Sequence, residues 1–147
     1  MAHVRKSIRD NIATTLTGLT TTGSNVYVTR FYPLADAKLS GLCVYTNSEA
    51  TEFSTLTPPR TQMRTLEVMV EAYVKGVSSI DDTIDTIAVE VEEALATDVT
   101  RGGYAKDTKI ISFEASYAGE GDQPVGVGRF TVEVLYATLE NDIETAV

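Results

Sequence analysis

MRTLEVMVEAYVK, residues 63–75, followed by SSIDDTIDTIAVEVEEAL, residues 78–95, decides the fold class. In the first stretch Leu66, Val68, Val70, Ala72 and Val74 alternate with Thr65, Glu67, Met69, Glu71 and Tyr73, which is the period of an extended strand. One face belongs to a core and the other carries two carboxylates. In the second stretch Ile80, Ile84, Ile87, Ala88, Val91, Ala94 and Leu95 fall on a single arc at about 100° per residue, with Val89 outside it. That arc predicts a helix lying on a sheet. Ser79 followed by Asp82 predicts a capping-box start, with Asp in place of the usual Glu or Gln, and Asp81, Asp82 and Asp85 lie where the positive end of the helix dipole favours anions.

Working towards the N-terminus, residues 47–62 are polar, with Pro58 and Pro59 in tandem and only Phe53 and Leu56 as large apolar groups, and they read as a long loop. LSGLCVYTN, residues 39–47, carries apolar groups on both faces and reads as an inner strand; NVYVTRFYP, residues 25–33, reads as another, with ADAK as a short connection. Val4, Ile8, Ile12, Leu16 and Leu19 recur at helical spacing and predict a helix over residues 3–17. Towards the C-terminus, Gly102 and Gly103 mark a turn. KIISFEASY then alternates Ile111, Phe113, Ala115 and Tyr117 against Ile110, Ser112, Glu114 and Ser116, AGEGDQP supplies a turn, and VGVGRFTVEVLYAT places Phe130, Val132, Val134 and Tyr136 on one face. Gly126 and Gly128 suggest a bulge or bend in that last strand. The expected fold is α+β, a largely antiparallel mixed sheet of about five strands with two helices on one face, in the order α-β-β-β-α-β-β. Residues 1–138 form one domain and residues 139–147 a polar tail.

The 147 residues suit a single hydrophobic core that needs neither metal nor disulfide. Lys+Arg 12 against Asp+Glu 21 gives a formal charge of -9, which argues against a protein that holds nucleic acid through its phosphates. The one cysteine, Cys43, has no internal partner, which points to synthesis in a reducing cytoplasm. The basic start MAHVRKSIRD is followed by no apolar h-region, and no apolar run reaches the roughly 20 residues of a membrane span. Export by signal peptide and embedding in a membrane are not expected.

Catalytic patterns are weak. His3 is the sole histidine, so no oriented histidine base is expected, and it reads as an ordinary surface residue. Cys43 sits mid-strand with no local base and reads as a small buried apolar group. The glycines of GEGDQP and GVG lack the third glycine and the helix-opening context of a dinucleotide fingerprint, and no phosphate-binding loop occurs. Asp81, Asp82 and Asp85 do not match a calcium loop, and helix capping accounts for them. We expect no enzyme, no cofactor and no metal. Charge segregation is more informative: Asp81, Asp82, Asp85, Glu90, Glu92, Glu93 and Asp98 follow one another with no Lys or Arg, while Arg5, Lys6 and Arg9 form a basic cluster and Arg60 and Arg64 lie around the end of the long loop. Acids at a helix C-terminus call for a cationic neighbour. Either these charges form a solvated face or a basic patch meets an acidic patch of an identical copy.

Taken together, VRKSIRDNIATTL, the FYP and GLCVYT strands, the polar loop before RTLEVMVEAYVKG, the acidic helix SIDDTIDTIAVEVEEAL and the closing VGVGRFTVEVLYAT resemble the tail terminator proteins of long-tailed bacteriophages, the lambda minor tail protein U type. The resemblance lies in the order and length of elements over nearly the whole chain. It implies a small structural protein of the virion, at the head-proximal end of the tail, that assembles as a hexameric ring on the tail tube. The ring would stop addition of the major tail tube protein, present a surface to a head-side connector protein and let DNA pass through its lumen without specific binding. A head completion or stopper ring on the portal side is the alternative. Within this frame Phe53, Leu56, Arg60 and Arg64 are candidates for contact with the tube or a neighbouring copy. Arg5, Lys6 and Arg9, opposite Glu90, Glu92 and Glu93, are candidates for the interface between subunits.

Overall fold

The computed structural model describes residues 2–30, 40–76, 79–118 and 125–147. Helix α1 spans Val4–Leu16, strand β1 Val26–Tyr27, β2 Gly41–Phe53, β3 Thr61–Lys75, helix α2 Ile80–Thr97, β4 Asp107–Ala118, β5 Val125–Leu139 and β6 Asp142–Ala146. The strands form one sheet in the order β1-β2-β3-β5-β4, with β6 also on β5. β1 runs parallel to β2 and every other pairing is antiparallel. The chain is therefore α+β in the expected order, with a short sixth strand added at the end.

Both helices cover the same face of the sheet. From α1, Val4, Ile8, Ile12, Ala13 and Leu16 are buried; from α2, Ile84, Ile87, Val91 and Leu95. They meet Leu66, Val68, Val70, Ala72 and Val74 of β3 and Phe130, Val132, Val134 and Tyr136 of β5 in one continuous apolar core. Burying each such aliphatic side chain contributes about 1.5–3 kcal/mol, so the alternation in the sequence translates directly into the packing energy that holds helix on sheet. Val89, outside the arc, is exposed.

The segment read as a loop over residues 47–62 is shorter. β2 continues to Phe53 and β3 starts at Thr61, leaving residues 54–60 as the connection. A register slip between Thr46 and Ser48 hides the strand from sequence reading: one extra residue resets the alternation, so Glu49, not Ser48, shares the helix-covered face with Leu66. A second slip between Ile110 and Ser112 does the same in β4, so Ile110 and Phe113 stand opposite Val132 and Phe130, and the predicted Ile111–Phe113 alternation is broken. The polar tail contains β6, because Leu139 pairs with Asp142 and Thr138 with Ala146. Of the strand read over residues 25–33, the described part, residues 25–30, is paired at Val26 and Tyr27. Phe31–Pro33, the ADAK connection and residues 119–124 of the AGEGDQP turn lie outside the described residues.

Gly126 and Gly128 do not bend β5, which pairs with β3 without a slip from Val125 to Leu139. They admit α2 instead. A Cβ at Gly126 would overlap Ile80 Cγ2, and one at Gly128 would stand 2.8 Å from Ile84 Cγ2 and 3.1 Å from Phe113 Cε2. Ser79 precedes α2 at φ 59°, and its side chain caps nothing, so the predicted capping box does not form. Asp81 and Asp82 still occupy the first turn.

Candidate assembly surface

The β2–β3 connection is pinned at its base. Ser54 N–H donates to Thr61 O at 2.9 Å, Thr61 N–H to Thr55 Oγ1 at 2.9 Å, and Glu140 N–H to Arg60 O at 2.8 Å. Arg60 Nη1 lies 3.4 Å from Glu140 Oε2, and its guanidinium sits 5.7 Å over the Phe53 ring. Above this base Leu56 is 94% exposed and Phe53 55%. A turn pinned at its base with a bare leucine at its tip offers apolar area at a reduced backbone ordering cost, which suits docking.

Arg64 does not belong to that surface. It is buried, donating from Nη1 to Glu49 Oε2 at 2.8 Å, from Nε to Thr138 Oγ1 at 3.2 Å and from Nη2 to Gln62 Oε1 at 2.5 Å. Arg5 Nη1 reaches the same Glu49 oxygen at 2.8 Å, and the Tyr136 hydroxyl donates to the other. One carboxylate thus ties α1, β3 and β5 to β2, and this cluster of distant residues was not evident from their separate places in the chain.

The basic cluster of α1 is accordingly split. Arg5 leans onto Glu49, Arg9 donates from Nη1 to Thr46 Oγ1 at 3.0 Å, and Lys6 stands outside in a pair with Asp10 at 2.5 Å. On α2, Glu90 accepts from Thr21 N–H at 2.9 Å and from the Thr21 hydroxyl at 2.5 Å, which fastens the turn after α1 to α2. Glu92 and Glu93 are exposed. Of the residues expected at a subunit interface, Lys6, Glu92 and Glu93 present charge outward, while Arg5, Arg9 and Glu90 are engaged within the chain.

The cation that the acidic helix end calls for comes from its own chain. Arg101 is fully buried, and its Nη2 donates to the carbonyl oxygens of Leu95, at 2.6 Å, and Asp98. Positive φ at Arg101, Gly102 and Gly103 (50°, 72° and 96°) folds the chain back so that this can happen, a course that glycine follows without the Cβ penalty. Burial lowers the Arg101 pKa, and the neighbouring Asp98 opposes that shift. Asp98 itself accepts from Thr100 and Gly102, which lowers its pKa. His3 is the residue that begins α1: its Nδ1 accepts from Arg5 N–H at 3.0 Å, so it acts as a helix cap and not as an idle surface group. Its pKa is lowered by burial and by Arg5 and Arg64.

Two further features lie along β4. A slot of about 200 Å³ opens between α2 and β4, lined by Glu92, Leu95, Ala96, Val99, Thr108 and Ile110. Beyond it Ile111, Phe113 and Tyr117 are exposed along the strand at the margin of the sheet. On the face away from the helices, Cys43 is buried in the same cross-strand row as Glu71 and Arg129, and Glu71 accepts from Arg129 Nε at 2.7 Å. Burial, and secondarily Glu71, pushes the Cys43 thiol up to about 12, which makes it a packing group and not a nucleophile. Among the described residues no group of three or more His, Cys, Asp or Glu is placed to hold a metal ion, and no helix is long and apolar enough to cross a membrane.

No protein-family model and no curated protein matches the chain. Among solved structures, a chain in the virion of a native gene transfer agent particle is similar over 90% of this chain and 92% of its own length, with 16% sequence identity and a TM-score of 0.45. A likeness of that degree carries no argument about what this protein does.

Proposed function

We propose that the protein is a structural component of a phage-type virion, a tail terminator that forms a hexameric ring on the tail tube, halts addition of tube subunits and offers its outer face to a head-side connector. The resemblance of the sequence's element layout to that of tail terminators supports this reading. The single observation that carries it is the bare Leu56 tip on its pinned base, together with a separate apolar margin along β4. A ring subunit needs two different contact surfaces of this kind. The net charge of -9 suits a channel through which DNA passes without adhering. On this reading Phe53 and Leu56, with Arg60 beside them, touch a tube subunit or an adjacent copy.

The test adds purified protein to tail tube subunits during polymerisation and measures tube lengths by electron microscopy. Capped tubes of uniform length are expected, and Phe53→Ser with Leu56→Ser should lose capping while the circular dichroism spectrum stays unchanged. Tubes that grow as if nothing were added overturn the reading. Binding to a portal complex in their place would identify a head completion or stopper ring.

A further inference from the structure

We propose that the slot between α2 and β4 is the socket for the β2–β3 connection of a second copy of this chain, with Leu56 entering against Leu95 and Ile110 and Arg60 meeting Glu92. The inference rests on the ring reading above and specifies its lateral joint.

The socket has an apolar floor and an acidic rim. Leu95, Ala96, Val99 and Ile110 supply the floor; the Thr108 hydroxyl in its wall already donates to Val99 O at 2.8 Å. Glu92 stands at the rim of a helix that has no Lys or Arg from Ile80 to Thr97. Arg101, the next cation along the chain, is turned inward to the Leu95 and Asp98 carbonyls and leaves Glu92 without a partner cation from that source. The plug has the opposite character. Residues 54–60 contain one cation, Arg60, and no acid, and Leu56 is the most exposed of the large apolar side chains described. Among the described residues the Arg60 side chain is held by the 3.4 Å contact to Glu140 and by the face of Phe53. An apolar tip beside a guanidinium thus matches an apolar slot beside a carboxylate, a complementarity that fixes register as well as attraction.

The two cannot meet within one chain. The connection ends where Thr61 pairs with Leu139, whereas Thr108 and Ile110 stand opposite Val134 and Val132, which is about 16–24 Å further along β5 at strand rise. The bonds at its base keep the connection from swinging across. Plug and socket are different surfaces, so the contact is head-to-tail, and its repetition closes a ring when the rotation at each joint divides a full turn.

The test uses the full chain with and without tail tubes, its mass followed by sedimentation velocity and light scattering. Leu56→Ser removes the plug; Ala96→Trp, at an exposed helical position, fills the socket. Each variant alone should stay monomeric where the wild type forms rings, with an unchanged far-ultraviolet spectrum. Mixed in equal amounts they should give dimers and stop there, since one joint remains possible and a second does not. Glu92→Arg should weaken association at least tenfold, and Arg60→Glu in the same chain should restore it. If Leu56→Ser or Ala96→Trp forms rings as the wild type does, the joint is wrong while the ring reading stands. If Leu56→Ser keeps its rings and loses only capping, the tip belongs to a tube contact and the joint is again overturned. A wild type that stays monomeric even on tail tubes overturns both.

Discussion

Arg64 and Glu49 meet at 2.8 Å on the helix-covered face of the sheet, one side chain 10% and the other 8% exposed, and the same carboxylate oxygen holds Arg5 of α1 at 2.8 Å. Removing the anion leaves a guanidinium buried without its counter-charge. Glu49→Ala should therefore cost about 3–5 kcal/mol in urea unfolding. Arg5 is more exposed, so Arg5→Ala should cost no more than about 1 kcal/mol. Equal costs for the two would mean that the network is not centred on Glu49.

The glycines of β5 make a separate prediction. Gly126→Ala puts a methyl group into the space of Ile80 Cγ2 and should destabilise the fold by about 1–3 kcal/mol, the usual range for overpacking. In an Ile80→Ala background the methyl group has room, and a double-mutant cycle should show the two changes strongly coupled. Additive costs would show that close approach of α2 is not what these glycines serve.

His3 predicts a pH dependence. Its Nδ1 can accept from Arg5 N–H only when neutral, and burial with the nearby Arg5 and Arg64 charges lowers its pKa below the ordinary value of about 6.5. Protonation is thus easier in the unfolded chain. The stability it contributes is complete above about pH 6.5 and is lost as the pH falls through the lower folded value. Thermal midpoints taken from pH 8 to pH 5 should fall across that window, and His3→Asn, which caps without titrating, should lose that part of the slope.

Arg101 predicts a purely structural loss. Arg101→Ala removes the donor that serves two carbonyl groups at the end of α2 and should cost about 1.5–3 kcal/mol, read by chemical denaturation. Amide hydrogen exchange should quicken first in residues 92–97, the turn that loses its cap.

What the sequence made legible follows from what a period can encode. The strands around Val68 and Val132 and the helix around Ile87 were readable because each keeps one apolar face without interruption. The strand through Ser48, Glu49 and Ala50 was not, because one extra residue at the slip reverses the alternation and the single inward side chain there is a carboxylate. The same slip in β4 exchanged Ile111 for Ile110. Charge told less than spacing did. Arg5, Arg9 and Arg64 look alike as letters, yet their partners Glu49 and Thr46 lie 15 to 44 residues away, and only the folded sheet brings them together. Of the residues expected to face a partner, Phe53, Leu56, Lys6, Glu92 and Glu93 are exposed, while Arg60 lies partly covered between Phe53 and Glu140. Arg101 could have been suspected from its position, a lone arginine before two glycines at the end of an acidic helix.

The uninterrupted pairing of β3 with β5, from Thr61 opposite Leu139 to Lys75 opposite Val125, gives the molecule a stiff girder about 50 Å long. A pull applied along it at the Leu56 end must shear all of those rungs together, whereas peeling would break them one at a time. A load entering at that end would be borne by the β3–β5 ladder as a whole, and the two-rung strands β1 and β6 would add little to it.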